Sequence, residues 1–247
     1  MKNVQVSVII PAYNCARYIG LTLDSVLKQD VDWECIVVDD HSTDDTAYVI
    51  APYLNDERFK YVCNDTNMGV AASRNRGVDL ATGKYVAFLD GDDYWTSDKL
   101  RKQYALMEEK QAVLSSTGRE LMDEDSVLSG KLIGVPERIT LKKLLKSNVL
   151  NTSGVMVRRD VALKYPMVKD HLHEDYITWL SILKEYDYAY GINEPLLKYR
   201  VVKGSKSANK FKSAKMTYGV YRYIGFSRIK ALYYFCFYAI NGLKKYM

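Results

Sequence analysis

Three carboxylates, Asp90, Asp92 and Asp93, fall within four positions in the stretch VAFLDGDDYW, residues 86–95. At neutral pH they repel one another, and a bound cation relieves that repulsion. Two carboxylates two residues apart offer hard oxygen donors that suit Mg²⁺ or Mn²⁺, with water and phosphate oxygens completing the shell. Gly91 between them lets the backbone turn tightly or approach a ligand closely. Taken alone, an Asp-Gly-Asp is more often a solvated acidic turn. Two further acidic pairs stand out: Asp39-Asp40 after CIVV, and Glu174-Asp175 in HEDY. The second pair opens a helical stretch, where the positive end of the helix favours acids whether or not they do chemistry.

The elements that position these residues follow from periodicity. Val4–Ile10, Cys35–Val38, Phe59–Cys63 and Tyr85–Leu89 are rich in β-branched or aromatic residues and read as strands. Between them Ile19, Leu23, Val26 and Leu27 fall on one helical face, and Val70–Ala81 reads as a helix closed by Gly83. Ser42 with Asp45 three residues on predicts a capping box ahead of a helix over Thr46–Leu54. Strand and helix alternate as in βαβ units, so a mostly parallel sheet is expected, and in such sheets ligands lie outside the carboxyl ends of the strands. Asp39-Asp40 and Asp90–Asp93 both sit at such ends. That placement favours a ligand site over a solvated turn.

Further along, Leu100, Tyr104 and Met107 predict a helix, Ser153–Val157 a strand, Tyr176–Tyr186 a helix and Leu196–Tyr199 a short strand. Residues from about Arg119 to Arg138 look irregular. Neither an internal repeat nor a low-complexity linker divides the chain. One α/β domain is expected over 1–210, with a nucleotide-binding half at 1–97 and an acceptor half at 98–210, followed by a helical appendage at 211–247.

The 247 residues are 48% hydrophobic and 26% charged, an ordinary globular composition. The N-terminus lacks the zones of a signal peptide, and Ala231–Leu243 is too short and polar to span a bilayer. Four scattered cysteines without a Cys-x-x-Cys pair indicate neither zinc nor a disulfide framework, which suits a cytoplasmic setting. The net charge of +5 conceals an asymmetry. From Pro195 onward there are twelve Lys or Arg and no Asp or Glu, which leaves the first 194 residues at a net −7.

VSVIIPAYN (6–14), VVDDHSTDDT (37–46), NMGVAASRNRG (67–77) and VAFLDGDDYW occur in the order seen in glycosyltransferase family 2, and the sequence resembles that family over about residues 4–200. The resemblance implies the GT-A (Rossmann-like) fold. It also implies an inverting transfer of a sugar from a nucleotide diphosphate, here a UDP-sugar, to an acceptor hydroxyl, with Mn²⁺ or Mg²⁺ as cofactor. Carried onto this chain, Pro11 and Tyr13 line the nucleoside pocket, and an aromatic there can stack on a base. Asp40 accepts a hydrogen bond from a pyrimidine ring, with Asp39 as its neighbour. Arg74 approaches the base or phosphates, Asp90 contacts the ribose or metal, and Asp92 ligates the metal directly.

Asp93 departs from those roles and is expected only to cap the following segment. Asp175 is the base that takes the acceptor proton, and Glu174 assists the acceptor. Thr152-Ser153 are placed at the floor of the donor-sugar site. Arg200 and Lys203, in YRVVKGSKSANK, are placed on a loop over the diphosphate. His171 and His173 are read as surface residues, Trp95 and Trp179 as residues that pack or shape the acceptor pocket.

The basic, aromatic C-terminal segment admits three readings: nucleic-acid binding, a packed helix, or an interfacial segment that holds anionic lipid. With a lipid-linked glycan as acceptor, the interfacial reading is the coherent one. It places the protein peripherally at the inner face of the cell membrane, with no nucleic acid among its partners. Two other classes remain in view. A nucleotidyltransferase would be expected to carry a glycine-rich, Lys- or Arg-containing phosphate loop where this chain has PAYNCARY. A non-catalytic nucleotide- or glycan-binding protein would not need the base.

Overall fold

The computed structural model describes residues 4–202 and 210–246. Its first half is built as the periodicity requires. Strands β1 (Val6–Ala12), β2 (Trp33–Asp39), β3 (Phe59–Cys63) and β4 (Tyr85–Phe88) are linked by helices α1 (Ala16–Leu27), α2 (Thr46–Ile50) and α3 (Val70–Leu80). β2 and β4 flank β1 in parallel, and β3 pairs parallel with β2. The strand order β3-β2-β1-β4 therefore reverses beside β1, and the crevice at such a reversal is where ligands enter.

The remainder completes a ten-stranded sheet whose main path runs β3-β2-β1-β4-β9-β6-β10-β5, with β7 paired to β6 and β8 to β10 off that path. It contains β5 (Tyr94–Trp95), α4 (Lys99–Lys110), β6 (Leu114–Met122), β7 (Leu128–Ile133), β8 (Arg138–Thr140) and α5 (Leu141–Lys146). It continues through β9 (Met156–Arg158), α6 (Arg159–Lys164), α7 (Glu174–Glu185), β10 (Tyr188–Arg200), α8 (Lys210–Tyr223) and α9 (Arg228–Tyr246). By paired residues the sheet is mostly parallel. Its antiparallel pairs, β4–β9, β6–β9, β6–β7, β8–β10 and β5–β10, all involve strands within residues 98–210. Alternation along β1 sends Val6, Val8 and Ile10 into one apolar layer, under α1 and α4, and Ile9 into the other, under α3 and α7.

Four expectations are corrected. The stretch 119–138 is not irregular but forms the end of β6, the strand β7 and the start of β8. Glu120 is carried there by cross-strand pairing, in a 2.6 Å ion pair with Lys198. The strand placed at 153 starts at Met156, because Thr152–Gly154 form a single 3₁₀ turn. The short strand at 196–199 is the end of the thirteen-residue β10, whose pairing with β6 shifts register between Ile192 and Leu197. Pro195 lies inside that shift and has no amide to give the ladder. The helix after β2 begins at Thr46 without a Ser42 capping box. Asp44 binds the Thr46 amide at 3.0 Å, while the Ser42 hydroxyl accepts the Asn14 amide.

Lys99, at the start of α4, is fully buried, and among the described residues its ammonium nitrogen has no hydrogen-bond partner. Burial pushes its pKa well below the ordinary lysine value, and its nitrogen lies 3.7 Å from the centre of the Trp95 ring. A depressed lysine pKa means that the unfolded chain binds the extra proton, so stability rises with pH toward the unfolded value of 10.5. Lys99→Met removes that desolvation cost at the expense of the ring contact. It is expected to stabilise the protein by on the order of 1–2 kcal/mol at neutral pH. The gain should shrink as pH rises, as read by urea unfolding across pH.

Candidate active site

At the carboxyl ends of β1 and β2 the chain ties its own loops together. Asn14, held at φ +47°, accepts the Thr43 amide at 2.8 Å and donates its own amide to the Ser42 hydroxyl at 3.0 Å. Tyr13, the residue before it, is 51% exposed, so its ring is free to stack on a ligand. Pro11 is buried in β1 opposite Val38.

The two aspartates after β2 point to different partners. Asp39 accepts the Ser42 amide at 2.8 Å and the Tyr61 hydroxyl at 2.7 Å. Asp40 accepts the Asn64 side chain at 2.7 Å, the Met68 amide at 2.8 Å and the Gly69 amide at 2.7 Å. Burial raises the pKa of Asp40, but these donors outweigh it and hold the carboxyl below its usual value. Three donors of the protein itself thus engage the carboxylate that the sequence motif sets to accept a hydrogen bond from a pyrimidine ring. The carboxylate is buried and anchors the loop 64–69.

Gly69, at φ +90°, is required where that loop meets the acceptor half: a Cβ there would lie 2.0 Å from an Asp170 carboxylate oxygen. The other oxygen of Asp170 accepts the Ala71 amide at 3.1 Å.

The acidic turn after β4 is bolted from three sides. Its Asp93 amide closes on the Asp90 carbonyl, and the Thr22 hydroxyl donates to the carbonyls of Gly91 and Asp93. The Asp90 amide donates to the Ser153 hydroxyl. Asp93 is buried and does not cap the segment after it; its carboxyl accepts the Arg200 amide at 2.7 Å. Arg200, expected over a diphosphate, is instead buried behind the turn. Its guanidinium donates to the carbonyls of Asp92, Asp123 and Glu124 and to the Ser126 hydroxyl, and lies over the Tyr18 ring. It braces the acidic turn against the β6–β7 hairpin. Lys203 lies outside the described residues.

Arg74 is likewise redirected. Its buried guanidinium gives one terminal nitrogen to Asp90 at 2.6 Å and the other to Glu174 at 3.0 Å. It thus spans from the acidic turn after β4 to the start of α7, and both terminal nitrogens, expected near base or phosphate, are engaged by carboxylates. Glu174 is buried in this pair, which corrects its assignment to acceptor binding.

Asp175, one residue on, keeps part of its surface open. It accepts the Thr152 hydroxyl at 2.8 Å and the Tyr176 amide at 2.7 Å. Burial and the adjacent Glu174 push its pKa up, against the pull of Arg74. A carboxylate with a raised pKa is a better proton acceptor.

Thr152 and Ser153, placed by the sequence at the donor-sugar floor, thus serve the two carboxylate clusters separately, Thr152 on Asp175 and Ser153 on Asp90. Residue identity gave no signal for this, since the two hydroxyls lie 23 and 63 positions from their partners. His173 is not a free surface residue: its Nε2 lies 3.2 Å from the Ser213 carbonyl of α8. Trp95 and Trp179 are buried packing residues, as expected.

Asp90 and Asp92 fit a divalent cation. Burial and the neighbouring Asp90 raise the Asp92 carboxyl to about 6, a cost that a cation between the two would remove. Arg74 engages only one Asp90 oxygen, which leaves the other as a donor. Among the described residues no three His, Cys, Asp or Glu side chains are grouped to enclose a metal. That suits a hard cation whose remaining ligands are water and phosphate.

The same sheet and helices occur in GT-A glycosyltransferases. Residues 1–349 of Staphylococcus aureus TarS, solved with UDP-GlcNAc, superpose with a TM-score of 0.73 at 21% identity over 92% of this chain and 69% of that one. The sequence profile of glycosyl transferase family 2 matches residues 7–165, and the chain belongs to that family. TuaG of Bacillus subtilis, a glycosyltransferase named for teichuronic acid biosynthesis, is 43% identical over 97% of this chain and 96% of its own length. WfgD of Escherichia coli, named a UDP-Glc:α-D-GlcNAc-diphosphoundecaprenol β-1,3-glucosyltransferase, is 34% identical over 100% of this chain and 96% of its own. The protein is a family 2 glycosyltransferase, and neither the nucleotidyltransferase nor the binding-protein reading is needed.

Proposed function

We propose that this enzyme is a metal-dependent, inverting transferase. It moves a sugar from a UDP-sugar to a hydroxyl of a lipid-linked glycan during bacterial surface polysaccharide assembly, at the inner membrane face. The observation that carries the reading is the ion-paired chain Asp90–Arg74–Glu174, which links the acidic turn after β4 to the residue beside Asp175, a partly open carboxylate. Support for the donor and acceptor classes comes from the relatives: TarS has been solved with UDP, and WfgD is named for UDP-Glc and a diphosphoundecaprenol-linked acceptor.

Tyr13 stacks on the base and the crevice beside β1 takes the nucleotide. Asp90 and Asp92 would hold Mn²⁺ or Mg²⁺, which supplies positive charge to the diphosphate leaving group. Asp175 accepts the proton of the acceptor hydroxyl as its oxygen bonds the anomeric carbon. The bond from that carbon to the diphosphate breaks on the opposite face, and its electron pair leaves with UDP.

Calorimetric titration with UDP tests the donor site. Binding is expected in Mn²⁺, with at least about a tenfold loss in EDTA or in Asp92→Ala. Equal binding with and without the metal would remove the metal from the reading, and tighter binding of GDP or dTDP would remove UDP.

A further inference from the structure

Helices α8 and α9 meet the rest of the molecule along one side. The buried Tyr221 of α8 donates its hydroxyl to the Leu145 carbonyl at 2.7 Å, and the Asn241 side chain of α9 donates to the Lys146 carbonyl at 3.0 Å. With Ala231 also buried, these contacts fix which face of α9 turns outward. That outward face carries Ile229, Leu232, Tyr233, Cys236 and Ile240, all exposed, with Ile229 at 84%. Their spacing of 3, 4, 7 and 11 from Ile229 makes one continuous apolar stripe. A helix packed on a globular core ordinarily turns a polar face to water, and contiguous exposed apolar surface of this kind marks an interaction site.

The charge around the stripe has one sign. Arg222, Arg228 and Lys230 are exposed beside it, and the neighbouring α5 adds exposed Lys142 and Lys143. No acidic residue occurs from Pro195 onward. A second copy of this chain on the same face would set two basic rims against each other. An anionic lipid surface neutralises them and accepts the stripe. The stripe is also coupled to the site: Tyr176, which follows Asp175, packs its ring 6.2 Å from Tyr221 and 6.3 Å from Tyr238, while His173 bonds α8.

We propose that the outward face of α9 docks on an anionic membrane surface. Its apolar stripe enters the boundary between headgroups and acyl chains, and the basic rim engages the headgroups. This deepens the reading of a lipid-linked acceptor by naming the face that brings the enzyme to it, since the packing through Tyr176 then fixes Asp175 relative to the bilayer.

Vesicle flotation of the full chain tests it. Binding to phosphatidylcholine containing about a quarter phosphatidylglycerol should exceed binding to phosphatidylcholine alone by about tenfold or more. Ile229→Ser/Leu232→Ser/Ile240→Ser, all at exposed positions, should reduce vesicle binding by about tenfold or more while leaving UDP titration unchanged. A parent that does not float, or a triple variant that floats like the parent, overturns the proposal. So does a parent dimer in sedimentation equilibrium that the triple variant dissolves, because a second copy then covers the stripe. Failure of the donor reading would show separately, as lost UDP binding in a parent that still floats.

Discussion

Asp175→Asn is expected to lower sugar transfer by on the order of 10²–10⁴-fold while UDP binding stays within about twofold of the parent. The amide keeps the shape of the side chain: its oxygen can still accept the Tyr176 amide, and its NH₂ can donate to the Thr152 hydroxyl, which rotates to suit. What it loses is the capacity to take a proton. Stability should move the other way. The folded protein raises the pKa of Asp175 above its unfolded value, so the folded state binds the proton more tightly and the contribution is favourable at low pH. That contribution is lost as pH rises through the raised pKa, and at neutral pH the ionised carboxylate is a burden. Asp175→Asn should therefore unfold at a higher urea midpoint at pH 7, with the advantage vanishing in acid. Transfer at the parental rate would place the base elsewhere, and a lower urea midpoint would mean that the carboxylate serves the fold.

Arg74→Met is expected to cost about 3–5 kcal/mol of stability, because it leaves Glu174 and Asp90 without the cation between them. The Glu174 arm should dominate, since that carboxylate is buried with the guanidinium, whereas Asp90 is about 30% exposed and partly screened by water. Two observations separate the bridge from a general packing defect. Adding Glu174→Gln to Arg74→Met should recover part of the lost stability, because the uncompensated buried charge is gone. Arg74→Lys should retain the charge yet fall short of the parent in transfer, as one ammonium cannot bond two carboxylates in the fork geometry of a guanidinium. If Arg74→Met unfolds at the parental urea midpoint, the bridge is not structural, and the guanidinium is available to the donor as the sequence motif implies.

These outcomes bear on how far a single sequence reaches. The alternation of strands and helices over residues 6–89, and the placing of Tyr13, Asp40 and Asp90 at strand carboxyl ends, were readable because period and turn chemistry are local. Asp92 was readable as a candidate because carboxylates gathered at such places ask for a cation, whereas Asp175, at a helix start that favours acids in any case, was singled out only by the resemblance to family 2. Residues 98–210 were less legible. The strands β6, β7 and the long β10 carry charge and a proline, and they are strands because partners distant in the chain complete their ladders. Local preference holds no record of those partners.

The roles of the arginines were decided entirely by tertiary structure. Arg74 and Arg200 look in the sequence like cations awaiting phosphate. In the fold, one is neutralised by carboxylates 16 and 100 positions away, and the other by carbonyls of the β6–β7 turn. A guanidinium buried on folding must find its acceptors inside the protein, and which acceptors are near depends on how the sheet brings β4, α3 and α7 together. The C-terminal segment divides the same way. Its composition, basic and aromatic without a single acid, left three readings open: nucleic acid, a packed helix or an anionic lipid surface. Only packing decided that one side of α9 is buried against α5 while the other is left to solvent.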